Sequence, residues 1–147
     1  MSKVVTADLT QERDFRFAIH FSDDMPELYG DEPPPLGNAT GPSPSQLFVA
    51  AVGNCLSDSL LFALRKFKQN PEPIRTSVAA TIDRNADNRL RIMDINVKLT
   101  LGAAKDSLAH LDRALGQFEE FCTVSQSVRQ GIPVTVEVYD SNGLRLK

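Results

Sequence analysis

Residues Ser43 to about Lys68 read as one long helix whose first turns are apolar on nearly every side, and such a helix must be covered on most of its circumference. Its start is marked three ways. Ser43 can cap, Pro44 suits the first helical position, and Gln46 stands where the partner of a capping box belongs. Leu47, Phe48, Ala51, Val52, Cys55, Leu56, Leu60, Phe62, Leu64 and Phe67 then run round the helix until the basic end Arg65-Lys66-Phe67-Lys68. The helix is therefore expected at the centre of the molecule. Gly53 costs about 1 kcal/mol against alanine in a helix interior, and beside Ala50 and Ala51 it is expected to admit a close neighbouring backbone. Upstream, Asp31 to Pro42 contains Pro33-Pro34-Pro35, Gly37 and Gly41, which excludes helix interior and central strand and predicts an ordered loop or arm.

The rest of the chain supplies strands and shorter helices. Phe15, Phe17, Ile19 and Phe21 alternate with polar neighbours, so Arg16 and His20 share the opposite face of a half-buried strand, with Val4 to Asp8 as a hairpin partner across Leu9 to Arg13. Ile74, Thr76, Val78, Ala80 and Ile82 form a second alternating run, and Asn85 to Asn88 supply turn residues before a strand from Arg89. In that strand the apolar positions change parity, from Leu90 and Ile92 to Ile95, Val97, Leu99 and Leu101, which predicts a bulge or bend near Met93-Asp94. Leu108, Leu111, Leu115, Phe118 and Phe121 place a helix over about Lys105 to Phe121, and a short helix from Thr123 to Gln130 should stop at Gly131. Val134, Val136 and Val138 then alternate as a last strand, with Leu144 to Lys147 returning after Ser141-Asn142-Gly143. Strands, helix, strands, two helices and strands, with no internal repeat, predict an α+β fold in a single domain spanning 1–147.

Composition limits the function classes. A chain of 147 residues with 41% apolar and 24% charged side chains can bury a core without staples. Its formal net charge of -3 and lack of a basic stripe speak against a nucleic-acid partner. Charge interrupts the first residues at once and no run of about 18 apolar residues occurs, so a cytoplasmic protein with no membrane partner is expected. The two histidines, His20 and His110, lie far from both cysteines in sequence, and no C-x-x-C or H-x-x-x-H spacing occurs, so neither metal nor cofactor is expected. Hydrolase signatures and phosphate loops are absent too. The acidic pairs Asp31-Glu32 and Glu119-Glu120 are expected to face solvent.

Two cysteines remain, Cys55 inside the long helix and Cys122 ahead of the short one. At the first turn of a helix, unsatisfied N–H groups would favour a Cys122 thiolate. Cys55 lies in apolar surroundings that favour the neutral thiol, with Asp58 opposing ionisation further. A reactive Cys55 must borrow a cation, for which Arg13, Arg16 and Arg129 are candidates. The competing reading makes both cysteines small buried hydrophobes and each arginine a solvated surface charge. In a reducing compartment a bridge between Cys55 and Cys122 would be transient, serving catalysis or sensing.

Four phrases, Asp31-Glu32-Pro33-Pro34-Pro35-Leu36-Gly37, Gly41-Pro42-Ser43-Pro44-Ser45-Gln46-Leu47 leading to Cys55, Phe121-Cys122-Thr123-Val124-Ser125 and Gly131-Ile132-Pro133-Val134, occur in an order that resembles the OsmC/Ohr family, named for osmotic induction and organic hydroperoxide resistance. The resemblance covers nearly the full length. It implies an intertwined homodimer in which two long central helices are wrapped by antiparallel β-sheets, with one active site per subunit at the dimer interface. It also implies a cysteine-dependent peroxidase: Cys55 attacks an organic hydroperoxide and becomes a sulfenic acid, Cys122 condenses with it, and an external dithiol resets the pair. An arginine near the N-terminal hairpin activates the thiolate, and Arg13 is the better positional match, Arg16 the second. The family's peroxidases carry a glutamate after the helix-opening proline to orient that arginine. Here Ser45 stands in that place, with Glu32 or Glu119 as substitutes to consider. Ser45 keeps two rivals open, a binding protein of the same fold for a small apolar ligand and a redox sensor without sustained turnover.

Overall fold

The computed structural model describes the whole chain, Met1–Lys147, as an α+β protein. The long helix, α1 (Pro44–Lys66), starts with the expected capping box: the Gln46 N–H donates to Ser43 Oγ (3.3 Å) and the Ser43 N–H to Gln46 Oε1 (2.8 Å). It ends in a Schellman motif. Lys68 is left-handed (φ 56), the Gln69 N–H donates to the Leu64 carbonyl (3.0 Å), and the Lys68 N–H donates to that of Arg65 (2.9 Å). Val52, Leu56, Ser59, Leu60, Ala63 and Leu64 make its buried stripe, while Phe48, Ala51, Asp58 and Phe62 are exposed. Burial all round is thus not met by one chain, because the elements it supplies cover one face. By length and mean hydropathy (1.8 over its most apolar window) α1 could cross a membrane. Asp58 and Ser59 in mid-helix and the buried Val52–Leu64 stripe are instead what a core helix requires.

The chain forms two compact units, Met1–Asn54 with Ile74–Thr100, and Cys55–Pro73 with Leu101–Lys147, and α1 contributes to both. In the first unit β1 (Asp8–Arg13), β2 (Arg16–His20) and β3 (Leu28–Gly30) form an antiparallel sheet in that order. The partner of β2 is Asp8–Arg13 rather than Val4 to Asp8, because the chain reverses tightly at Asp14-Phe15, with Asp14 at φ 45. Pairing runs from Asp8 opposite His20 to Arg13 opposite Arg16, and the register shifts between Gln11 and Arg13, so Glu12 is bulged out of the ladder. Of the alternating apolar face only Ile19 is buried; Phe15, Phe17 and Phe21 are exposed.

A second hairpin pairs β4 (Arg75–Arg84) with β5 (Leu90–Thr100) through a turn in which Asn85 Oδ1 accepts the N–H groups of Asp87 and Arg89, each at 3.0 Å. Thr81 lies opposite Asp94 and Ile82 opposite Ile92, leaving Met93 as the extra residue where the parity change predicts it. Gly53 does admit a close neighbour, but the neighbour is side chain rather than backbone. A Cβ there would overlap Val78 of β4 and touch Thr76.

The proline-rich loop is ordered around an acid expected in solvent. Asp31 is only 3% exposed, and its Oδ2 accepts the N–H groups of Asn38 (3.2 Å) and Thr40 (3.0 Å) and the Thr40 hydroxyl (2.8 Å). The Thr40 N–H, followed by its hydroxyl, holds this carboxyl below the ordinary carboxylate range despite burial. Oδ1 has no hydrogen-bond partner and lies where a Cβ at position 37 would overlap it, so the loop needs Gly37.

In the second unit the helix expected over Lys105 to Phe121 is broken into a 3-10 turn (Lys105–Ser107), α2 (Leu111–Gln117) and a second 3-10 turn (Phe118–Phe121). Tertiary contacts override the periodicity. The Ala109 N–H donates to Gln69 Oε1 (2.8 Å), and His110, left-handed at φ 58, stacks on Phe67 at 4.9 Å. The short helix, α3 (Thr123–Gln130), ends at Gly131 as expected. Val134 to Val138 forms no strand, and Val134 is 83% exposed; the returning segment makes one bridge, Tyr139 with Arg145, across a turn in which Asp140 Oδ1 accepts from Asn142 and Leu144. Only its end is paired, Val138 accepting the Leu146 N–H (2.7 Å) and donating to the Lys147 carbonyl (3.3 Å), which is too short a ladder for a strand from Val134.

Gly53→Ala is expected to destabilise the protein by about 1–3 kcal/mol through overpacking, against a helix-propensity gain of about 1 kcal/mol. Urea denaturation of Gly53→Ala, Val78→Ala and the double variant checks this: Val78→Ala should relieve most of the Gly53→Ala penalty, and strictly additive effects would refute the contact.

Candidate functional site

The structure brings Cys55 and Cys122 together within the second unit. Cys55 sits roughly three turns into α1. Cys122 is the N-cap of α3, at φ -80 and ψ 100, where its sulfur accepts the Ser125 N–H at 3.4 Å and its carbonyl accepts the Gln126 N–H at 3.1 Å. Both thiols are free. Cys55 is partly exposed and Cys122 is 0% exposed.

Their electrostatics diverge in the direction the sequence predicts. Burial pushes the Cys55 thiol up, the Val124 backbone works against that, and the neighbouring Cys122 and the Asp58 charge raise it further. Burial also works against ionisation of Cys122. Hydrogen bonds outweigh it, from the Ser125 hydroxyl, the Cys55 thiol, the Ser125 N–H and Ser59, and the Cys122 thiol lies below the ordinary cysteine value. The Ser125 hydroxyl is buried and makes no well-formed hydrogen bond, so what it offers is a rotatable O–H dipole. Cys122 is therefore the easier of the two thiols to ionise, with the Cys55 S–H as one of its donors.

Ser59 and Ser125 were not singled out from the sequence. The signal was present: Ser59 follows Cys55 by four residues on one face of α1, and Ser125 follows Cys122 by three, at the position a capping side chain bonds. The arginines belong elsewhere. Arg129 pairs with Glu119 (2.9 Å), and Glu119 and Glu120 are both exposed, as expected. Arg13 and Arg16 are in the first unit, where Arg13 is exposed and Arg16 is held by Glu12 (2.6 Å) and Thr40 (2.8 Å). Ser45 occupies the first turn of α1, and Glu32 is not a partner of Arg16. Phe121, beside Cys122, is 61% exposed with the Lys66 ammonium 5.7 Å from its ring centre; Phe48 is also exposed. A surface cleft lined by Lys105, Leu108, His110 and Arg113 takes in neither thiol.

The arrangement offers one partly exposed cysteine and one sealed cysteine in hydrogen-bond contact, with the sealed one the easier to ionise. Such a pair can reduce an electrophile at Cys55 and close a bridge to Cys122.

Solved structures share this fold. An OsmC-like protein of Mycoplasma pneumoniae superposes with a TM-score of 0.71 at 14% identity, over 90% of this chain and 91% of that one. An organic hydroperoxide resistance protein OsmC of Legionella pneumophila gives 0.67 at 15% identity, over 86% and 90%. A Vibrio cholerae protein assigned to organic hydroperoxide resistance, solved with captopril bound in one of its active sites, gives 0.61 at 23% identity, over 99% and 97%. No curated protein sequence matches. A family model described as OsmC-like protein matches residues 37–137, a span that takes in α1, both hairpin strands β4 and β5, and both cysteines, and the chain belongs to that family.

Proposed function

We propose that this protein is a cysteine-dependent peroxidase that reduces organic hydroperoxides through Cys55 and Cys122. The observation that carries the reading is the contact between a partly exposed thiol and a sealed one that ionises more readily. Charge alone would name Cys122 the nucleophile. Access decides otherwise, because a peroxide can reach Cys55 and cannot reach a sulfur with no exposed surface. The Cys122 thiolate takes the Cys55 proton, and the Cys55 thiolate attacks the O–O bond, forming S–O and breaking O–O. The departing alkoxide receives that proton back from Cys122 and leaves as an alcohol. Cys122, again a thiolate, attacks the Cys55 sulfenic acid, forms the disulfide and expels hydroxide. Two thiol sulfurs are oxidised, the peroxide is reduced, and an external dithiol restores the pair.

The arginine that the resemblance calls for stays an open assignment between Arg16, fixed and only 18% exposed, and Arg13, which stands in solvent, and neither figures among the influences on the Cys55 thiol. A homodimer belongs to the reading, and the exposed Phe15, Phe17, Phe21, Val134 and Val136 support a second copy as their cover. A cytoplasmic setting suits a bridge that must be reduced each cycle. Ser45 favours a second reading, a binding protein of the same fold for a small apolar ligand.

Cys55→Ser is expected to lower turnover of cumene hydroperoxide with a dithiol by on the order of a thousandfold or more. Cys122→Ser should form the Cys55 sulfenic acid with one peroxide and, when a second peroxide is supplied, go on to the sulfinic acid, seen by mass spectrometry. Thiol titration after one equivalent of peroxide separates the readings: loss of two thiols supports the peroxidase, and no loss supports the binder. The charge assignment has its own check, the ultraviolet thiolate absorbance followed against pH. One thiolate per wild-type chain should appear below the ordinary cysteine value and vanish in Cys122→Ser, where Cys55, relieved of its neighbour, should titrate lower than in the wild type.

A further inference from the structure

Two serines meet the Cys122 sulfur from different elements, Ser125 from α3 and Ser59 from α1, and both lie in the second unit with the two cysteines. Both are buried, Ser125 at 5% and Ser59 at 9% exposure. The Ser125 N–H donates to the Cys122 sulfur at 3.4 Å, yet the Ser125 hydroxyl, sealed from water, has no hydrogen-bond partner. A dry, unpartnered hydroxyl costs stability. Alanine at this third position of α3 would keep the capping N–H, favour the helix more and leave no polar atom unsatisfied. Packing and helix formation therefore give no reason for a serine there, but charge does. A thiol accepts weakly and a thiolate strongly, so the hydroxyl gains its partner when Cys122 ionises, and rotation about one bond brings its hydrogen onto the sulfur. Ser59 adds a second hydroxyl from α1, one turn beyond Cys55. The charged groups on the surrounding elements are Asp58 and Lys66 on α1, Glu119 and Glu120 on the preceding 3-10 turn, and Arg129 on α3, all of them exposed. Water screens these, Arg129 is already paired with Glu119, and the Cys55 thiol titrates after that of Cys122.

We infer that Ser125, with Ser59 in support, is the positioning residue of the bridge-closing step: its hydroxyl turns onto the Cys122 sulfur as charge gathers there and holds that sulfur ready for the oxidised Cys55. The inference rests on the peroxidase reading. In closure the Cys122 sulfur attacks the Cys55 sulfenic sulfur, the S–S bond forms, the S–O bond breaks and hydroxide leaves; Ser125 exchanges no atom. What it decides is a competition. A sulfenic acid that waits for a thiolate meets a second peroxide and becomes the sulfinic acid, so the group that supplies the thiolate at neutral pH sets how much peroxide the protein survives.

The experiment follows wild type, Ser125→Ala and Ser59→Ala after one equivalent of cumene hydroperoxide, over a range of pH, with rapid quenching and mass spectrometry to count disulfide and sulfinic acid. Ser125→Ala should close the bridge about tenfold more slowly at neutral pH, its half-maximal pH should rise by about one unit, and the two proteins should converge in alkali. Ser59→Ala should shift the same way by less. With excess peroxide Ser125→Ala should gather more sulfinic acid, while its thermal midpoint should not fall, because only an unpartnered hydroxyl is lost. An unchanged pH profile in Ser125→Ala overturns the role, and so does slowing of equal size at every pH, which marks a residue that only supports the packing. A wild type that forms no disulfide with peroxide removes the peroxidase reading and the closing step together.

Discussion

A negative charge inside a protein survives only where donors replace the water it has lost, and the donors that ease ionisation of Cys122 come from three directions. The N-terminus of α3 supplies the Ser125 N–H, α1 supplies Ser59 and the Cys55 thiol, and the Ser125 hydroxyl completes the set. Each depends on backbone geometry elsewhere. Cys122 is an N-cap only because the preceding 3-10 turn, Phe118–Phe121, delivers the chain in extended conformation, and Ser59 faces the sulfur only because α1 stays helical through its middle. Burial raises the Cys55 thiol and its contact with Cys122 raises it further.

In the first unit the buried charge is Asp31, and the logic is similar. Its carboxylate collects donors from Asn38 and Thr40, which gathers a loop of three prolines into one shape and leaves Thr40 facing Arg16. The stability that Asp31 contributes is complete above the ordinary carboxylate range and lost as pH falls through its lowered value.

Local pattern carried much of this. The capping box at Ser43, the hairpin turn at Asn85, the extra residue at Met93 and the stop at Gly131 were legible because each depends on residues a few positions apart. The helix expected to Phe121 was not, since Gln69 and Phe67, remote in sequence, break it at His110. Nor was β3, as Leu28–Gly30 is too short to show alternation. The pairing of the two cysteines came from a resemblance, while their opposite charge preferences could be argued from helix position alone. Glu12 and Asp31 stayed invisible for physical reasons: Glu12 was expected in the connection from Leu9 to Arg13 rather than in a strand, and an acid in a polar loop reads as solvated until its donors are seen.

The sealed position of Cys122 bears on how a disulfide would be undone. An incoming thiol can strike only the sulfur it can reach, that of Cys55, so the mixed disulfide would form there and Cys122 would depart. A sulfur already surrounded by donors is the better leaving group, since departure gains most where the anion is most at ease. The environment that eases ionisation of Cys122 would therefore also set the direction in which the bridge opens.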